Sequence, residues 1–407
     1  MREDFHKIKL LLVTNLFPNS MEPNRGIFTY QIVKELREWC DVTVIAPIPW
    51  FPQTKLLKYF TNWYQLSKIP KYERIDGIEV YHPRYVVIPK ISGFMCGFSM
   101  YFPLRNLIKQ LHQQRRFDVI NAHWIFPDGF ATTLVANKIG IPVIVSALGC
   151  DINLYINFRL RKPQLLYTLR KAGLISTVSM ALRDRIIELG ISPEKIRCIY
   201  NGVDTEIFFP KDQKECRKKL SLNEDGKIVI FVGGMVPVKS VEYLIQAFNL
   251  LHMNGKEDYR LILVGDGILR GSLEKQAQEL ISKQKITFVG KKPHQEISDW
   301  LNASDLLCLP SIREGHPNVV IEALACGRPV VASKVGGIPE LINDENGILV
   351  EPRNPDELAK AIDQALNRLW ITKRIVSNIQ RISWQACAEH FISAYETLIN
   401  SRILHRE

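Results

Sequence analysis

The 407-residue sequence has no C-x-x-C pair; its eight cysteines are dispersed, several of them inside apolar runs. Scattered thiols of this kind exclude a clustered structural zinc site and a small disulfide scaffold, and they suit a reduced, cytosolic setting. Long hydrophobic runs are also missing. The longest uncharged apolar stretch, Ile91–Leu104, has 14 residues, short of the roughly 17 to 25 that span a bilayer. The opening MREDFHKIKLLLVTNLFP carries mixed charge and only a short apolar run, so it reads as a first strand rather than a signal peptide. No G-x-x-x-x-G-K-[ST] loop occurs, which argues against a P-loop ATPase. No fixed-period repeat or low-complexity segment is present, and disordered and collagenous classes are excluded.

What is present is the composition of a globular protein, 46% hydrophobic and 23% charged. Its length favours two domains. The formal net charge of +11 is unevenly placed: 27 basic against 15 acidic side chains stand before residue 201, and 26 against 27 after it. The basic residues of the first half are scattered rather than interleaved with aromatics, so nucleic acid is not expected as a partner. They suit instead the anionic inner leaflet of a membrane, against which the protein is expected to lie peripherally. The stretch Ile91–Leu104, flanked by Lys90 and Arg105, reads either as an ordinary core helix and loop or as a segment that dips into such a surface or takes an acceptor's lipid.

Short apolar runs alternate with amphipathic stretches. KLLLV, VTVIAP, DVINAH and PVIVSALG form one series, and KIVIFVGG, RLILVGDG, KITFVG, DLLCLPS and RPVVAS form a second from Lys227. Such alternation predicts parallel strands joined by crossover helices, an α/β chain of two doubly wound, Rossmann-like domains. The expected divisions are 1–205, 206–380 and a terminal amphipathic helix within 381–407 that packs on either domain. Ligands of such sheets bind at the carboxyl ends of the strands, where loops from both halves are expected to meet. VGDGILRG resembles a dinucleotide loop, but its glycine spacing is one residue long and no acidic residue follows at the right distance, so it reads as a sheet-to-helix turn.

The sharpest local feature is SIREGHPNVVIEALACGRPVVAS, Ser311–Ser333. A strand ends, Pro317 suits the first position of a helix over Asn318–Ala325, and Gly327 stops it. The free amides near His316, Asn318 and Val319 then form an anion site. With Glu314 in the preceding loop and Glu322 in the helix, the two carboxylates reach different parts of one elongated ligand with a phosphate in its middle.

This segment closely resembles the donor-binding signature of the family 4 retaining glycosyltransferases, whose architecture is the two-Rossmann-domain GT-B fold with a central cleft. The resemblance implies that Glu314 contacts the transferred sugar and Glu322 the nucleotide ribose. It recurs in order from Leu11 to about Ile362. The Gly26 loop is similar to the family's first loop, whose backbone approaches the donor diphosphate. His123, closing NAHWIFPDGFAT's strand, matches the family's active-site histidine, and Asp151 lies in SALGCDIN, which resembles its Gly and Asp loop. Gly-Cys-Asp also fits a turn with a helix cap. FVGGMVPVKSVEYLIQAF is similar to the phosphate-binding segment, with Gly233 at its turn and Lys239 on the phosphate.

Two departures stand in that segment. Gly234 replaces an arginine common in the family, removing a planar multi-donor clamp, and Ser240 replaces a glycine. Arg25, another basic group or the helix amides must then carry more of the diphosphate charge. His316 stands where an aromatic residue is frequent. No D-x-D occurs, so the resemblance implies a metal-independent, retaining sugar transfer from a nucleotide diphosphate donor, uridine-linked, to a saccharide or lipid-linked acceptor. No cofactor is implied beyond that co-substrate. HPNV and the NLFP opening look most like enzymes of bacterial cell-surface polysaccharide and teichuronic acid synthesis. A sugar-nucleotide 2-epimerase on the same scaffold and a catalytically silent nucleotide-sugar binder are the competing readings.

Overall fold

The computed structural model describes residues 7–50, 66–87, 93–280 and 284–404. They form two compact units. One comprises the chain up to Tyr200 together with the segment from Trp384, and the other is Asn201–Ser383.

The first unit is built on an eight-stranded sheet. Its strands are β1 (Ile8–Val13), β2 (Cys40–Ile45), β4 (Tyr72–Ile75), β5 (Ile78–Tyr81), β7 (Val119–His123), β8 (Val143–Ala147), β9 (Leu174–Thr177) and β10 (Ile196–Cys198), while β3 (Ile48–Trp50) and β6 (Arg84–Val86) pair separately. The order is β10-β9-β8-β7-β1-β2-β5-β4, parallel except for β4 against β5. Leu10, Leu11, Leu12 and Val13 are all fully buried, as a strand covered on both faces requires, which is why KLLLV reads as a continuous apolar run rather than an alternating one. The chain starts in the middle of the sheet and later crosses to the other side of β1. The order therefore reverses between β1 and β7, and ligands of open α/β sheets sit outside the strand ends at such a reversal.

Directly after Gly26, a helix runs over Ile27–Leu36. The terminal helix, Trp384–Leu404, packs in the first unit: Trp384, Phe391, Tyr395 and Leu398 join the core formed by Leu10, Leu12 and the helix Ile27–Leu36. The Tyr395 hydroxyl accepts a hydrogen bond from Asn121 Nδ2 at 2.7 Å, and Asn121 Oδ1 in turn accepts from Ser146 Oγ at 3.1 Å. This buried chain of polar groups ties the terminal helix beneath β7, two residues before His123.

The second unit has six parallel strands, β11 (Lys227–Val232), β12 (Tyr259–Val264), β13 (Ile286–Gly290), β14 (Leu306–Leu309), β15 (Val330–Ser333) and β16 (Gly347–Val350). Their order is β13-β12-β11-β14-β15-β16, so here the reversal falls between β11 and β14. The turn Gly265–Leu269 joins β12 to the helix Arg270–Gln278.

Of the stretch Ile91–Leu104, Ile91 and Ser92, like the flanking Lys90, lie outside the described residues; from Cys96 it runs into the helix Cys96–Arg115 with Pro103 inside it. No helix among the described residues is long and apolar enough to cross a membrane.

Candidate active site

The candidate residues divide between the two units, and most lie on loops leaving the two strands at the reversal; Asp151 instead follows β8, and Glu322 lies within the helix Asn318–Ala325. In the first unit the loop after β1 carries Gly26 and the end of β7 carries His123. In the second, the turn after β11 carries Gly233 and Lys239, and the loop after β14 carries Glu314 and His316.

Gly26 stands at φ 60°, and a Cβ there would overlap the Leu16 carbonyl. Only glycine fits, because the helix Ile27–Leu36 starts with its backbone pressed against Leu16–Phe17. Beside it, Arg25 donates from Nε to the Asn15 carbonyl at 3.0 Å and from Nη1 to Glu22 at 2.8 Å. The guanidinium that sequence offered as a substitute phosphate clamp is thus committed within its own loop.

His123 is buried, its ring stacked on Phe391 with centroids 6.1 Å apart, and its Nε2 has no hydrogen-bond partner among the described residues. Burial lowers its pKa to about 4, so the imidazole is neutral at physiological pH and suited to hydrogen bonding rather than to charge. The next residue, Trp124, holds φ 76°, a conformation costly for a side chain of its size. That turn is held in place by Asp151. Its Oδ2 accepts from the amides of Ile125 at 3.0 Å and Leu148 at 3.3 Å, and its Oδ1 from Gly149 at 2.9 Å and Ile152 at 3.1 Å. Burial raises the Asp151 pKa, and these four amides pull it back. With four amides donating to its two oxygens, Asp151 fits the turn-and-cap alternative: it fastens the loop after β8 to the turn after His123.

In the second unit the sequence separation of 75 between Lys239 and Glu314 closes to 2.6 Å between Nζ and Oε1. The pair is mostly buried, and Ser311 Oγ donates to the same carboxylate oxygen at 2.6 Å. Adjacent strands explain the meeting: β11 and β14 are hydrogen-bonded neighbours, and Ile312 N donates to Val238 O at 2.9 Å, locking one loop to the other. Gly336, at φ 54°, lies so close to the Glu314 carbonyl that a Cβ would overlap it. Position 234 differs. A Cβ there meets nothing nearer than 3.9 Å, so no steric demand explains the missing arginine. Ser240 stands at φ 50°, ψ 41°, which explains the family's glycine: the left-handed region costs a side-chain residue roughly 1–2 kcal/mol.

The helix Asn318–Ala325 begins one residue later than Pro317's fit to a first helical position implied. Pro317 is extended, at φ −74° and ψ 109°, and serves as the cap. The amides of Asn318 and Val319 thus open the helix, and Asn318 Oδ1 accepts from Asn201 Nδ2 at 3.0 Å. His316 is buried, and burial lowers its pKa to about 4, keeping it neutral. Glu322 is 5% exposed.

Two residues were missed by sequence reasoning. His294, the first residue of the helix His294–Ala303, lies 2.8 Å through Nε2 from Glu322 Oε1 and packs its ring on Phe208 at 5.1 Å. Asp128, in the turn that follows His123, is fully buried; burial pushes its pKa up to about 8, with nearby backbone amides and Arg25 drawing it down only in part. No group of three or more metal-ligating side chains is gathered among the described residues.

Comparison with known proteins agrees with this layout. Residues 26–207 match the family described as Glycosyltransferase Family 4, and residues 212–396 match Glycosyl transferases group 1. TuaC of Bacillus subtilis (strain 168), provisionally assigned as a teichuronic acid biosynthesis glycosyltransferase, is 29% identical over 362 residues, covering 87% of this chain and 88% of that protein. Among solved structures, the sucrose-phosphate synthase of Thermosynechococcus elongatus superposes with a TM-score of 0.79 at 21% identity, over 97% of this chain and 100% of that one. HepE of Anabaena in complex with UDP does so with 0.73 at 22% identity, over 96% and 100%. The two family matches follow one another along nearly the whole chain, and the structural likeness extends over both units: the protein belongs to the family 4 glycosyltransferases, of GT-B fold.

Proposed function

We propose that this glycosyltransferase transfers a sugar, with retention of configuration, from a UDP-linked donor to a saccharide or lipid-linked acceptor in the synthesis of a cell-surface polysaccharide. The observation that carries the reading is the Lys239–Glu314 pair at the strand reversal of the second unit, beside the opening amides of the helix Asn318–Ala325. A diphosphate between Lys239 and those amides is neutralised without a metal ion. Lys239 then turns from Glu314 to phosphate and frees that carboxylate for the transferred sugar. Glu322, oriented by His294, takes the ribose hydroxyls. The uridine assignment draws on HepE, whose structure holds UDP, and the polysaccharide assignment on TuaC.

In this reading the leaving diphosphate gathers negative charge as the glycosidic bond breaks. Lys239 and the helix amides are already aimed at it, which lowers the barrier without reorganisation. A departing phosphate oxygen takes the acceptor's proton on the same face, so no side-chain nucleophile is needed. His123, neutral and with an unfilled ring nitrogen, is suited to a sugar hydroxyl. The basic excess of the first 200 residues suits an acceptor presented at an anionic leaflet.

Product analysis tests the proposal. Incubation with a sugar donor and a lipid-linked or oligosaccharide acceptor in EDTA should give a product with the donor's anomeric configuration. An isomerised donor formed without acceptor would establish the epimerase reading instead, and an inverted product would refute retention.

A further inference from the structure

We propose that the surface made by the start of the helix Cys96–Arg115 and by the helix Lys162–Lys171 docks on an anionic lipid bilayer. This deepens the reading that the first unit works against such a leaflet, and it gives that contact a location.

Three phenylalanines four residues apart form the apolar part. Phe94, Phe98 and Phe102 are 37%, 49% and 66% exposed; Phe98 and Phe102, four apart, share one face of the helix Cys96–Arg115, and Phe94 lies in the turn just before it. Beside this stripe lies a surface groove of about 530 Å³, whose lining includes Arg159, Lys162, Arg170 and Lys171 above the apolar Leu166 and Tyr167. Among the described residues, no acidic side chain lines it. The two features are joined. Gln164 Nε2 donates to the Phe94 carbonyl at 2.7 Å, and the ring of Phe98 meets Phe130 at 5.0 Å, which meets Tyr167 of the groove at 5.8 Å. At the near end, Arg161 lies over the rings of Tyr155 and Phe158, 4.7 and 4.8 Å from their centroids.

A groove with four cations and an apolar floor takes a phosphate headgroup and the glycerol or acyl carbons next to it. An exposed aromatic stripe alongside is suited to the boundary between headgroups and acyl chains, where Phe lies buried while Lys and Arg reach phosphate. Each well-placed cation contributes about 1 kcal/mol at an anionic leaflet. Charge complementarity therefore selects an anionic bilayer over a neutral one. It also selects a bilayer over a nucleic acid strand, which would leave the phenylalanine stripe in water.

Sedimentation of the whole protein with vesicles tests this without turnover. Binding is expected to vesicles of phosphatidylcholine and phosphatidylglycerol, to weaken steeply with salt, and to be absent from pure phosphatidylcholine. Arg159→Ala with Lys162→Ala should lower the partition coefficient roughly 30-fold. Phe102→Ser should lower it about tenfold, with an unchanged thermal midpoint because the side chain is largely exposed. Equal binding to neutral vesicles, insensitivity to all three substitutions, oligonucleotide binding without vesicle binding, or a vesicle-free dimer abolished by Phe102→Ser would each overturn the proposal. Vesicle binding that persists while no sugar donor is consumed would count against the transferase reading and leave this one standing.

Discussion

Lys239 Nζ lies 2.6 Å from Glu314 Oε1, so in the absence of donor the cation proposed for the diphosphate and the carboxylate proposed for the sugar neutralise each other. Donor binding exchanges that pair for two ligand contacts. Lys239→Met therefore removes the phosphate contact and leaves a mostly buried Glu314 without its cation. Donor KM is expected to rise about 30- to 150-fold, since a charge-assisted hydrogen bond in a buried site contributes roughly 2–3 kcal/mol. A KM within threefold of the parent protein's would show that Lys239 does not touch the diphosphate.

His294 holds Glu322 at 2.8 Å and is too far along the chain to belong to the signature around it. His294→Ala should raise donor KM about tenfold while changing kcat little, because the ribose contact is made equally in ground and transition states. His294→Gln, which keeps a donor group, should recover part of the loss. A fall in kcat at constant KM would assign His294 some other role.

Position 234 has room for a side chain and position 240 has the wrong one for its backbone. Gly234→Arg is expected to tighten donor binding several-fold by restoring a guanidinium near the Gly233 turn. Ser240→Gly should raise stability by about 0.5–1 kcal/mol by relieving the left-handed conformation. Equilibrium UDP titration and thermal denaturation check the two; a weaker-binding Gly234→Arg would mean that the phosphate lies elsewhere.

Asp128 gives a pH signature. Its pKa rises on folding from the ordinary carboxyl range to about 8, so between those values the folded state holds a proton that the unfolded chain has released. Stability must then fall as pH rises through this window and level off above it. Asp128→Asn removes the dependence. Its stability relative to the parent protein should grow from pH 5 to pH 8 by a few kcal/mol, on the order of 3. A difference that stays flat over that range would mean the carboxyl is already satisfied.

The parallel sheets were legible because a strand covered on both faces needs an unbroken apolar run, as in KLLLV and KIVIFV. The helix Asn318–Ala325 was legible to within a residue, since Pro317 and Gly327 bracket it. What the sequence could not carry was burial and partnership. Asp151 looks the same in one dimension whether it faces substrate or staples two loops, and its four amide contacts appear only in three dimensions. Asp128 reads as a turn acid before a glycine, and its enclosure comes from tertiary packing. His294 meets Glu322 across 28 residues because the helices that carry them lie side by side, and no local pattern encodes that. Arg25 offered a free charge on paper; Glu22, three residues earlier, takes it.

The most direct measurement is nucleoside diphosphate release by the purified protein in EDTA, with each common sugar nucleotide in turn and Glu322→Ala beside it. Release of UDP from one UDP-sugar, at least tenfold slower in Glu322→Ala at limiting donor, is the predicted result. Release that requires a divalent cation, or that is equal in the variant, would contradict a donor held by Lys239, Glu322 and the amides of the helix Asn318–Ala325.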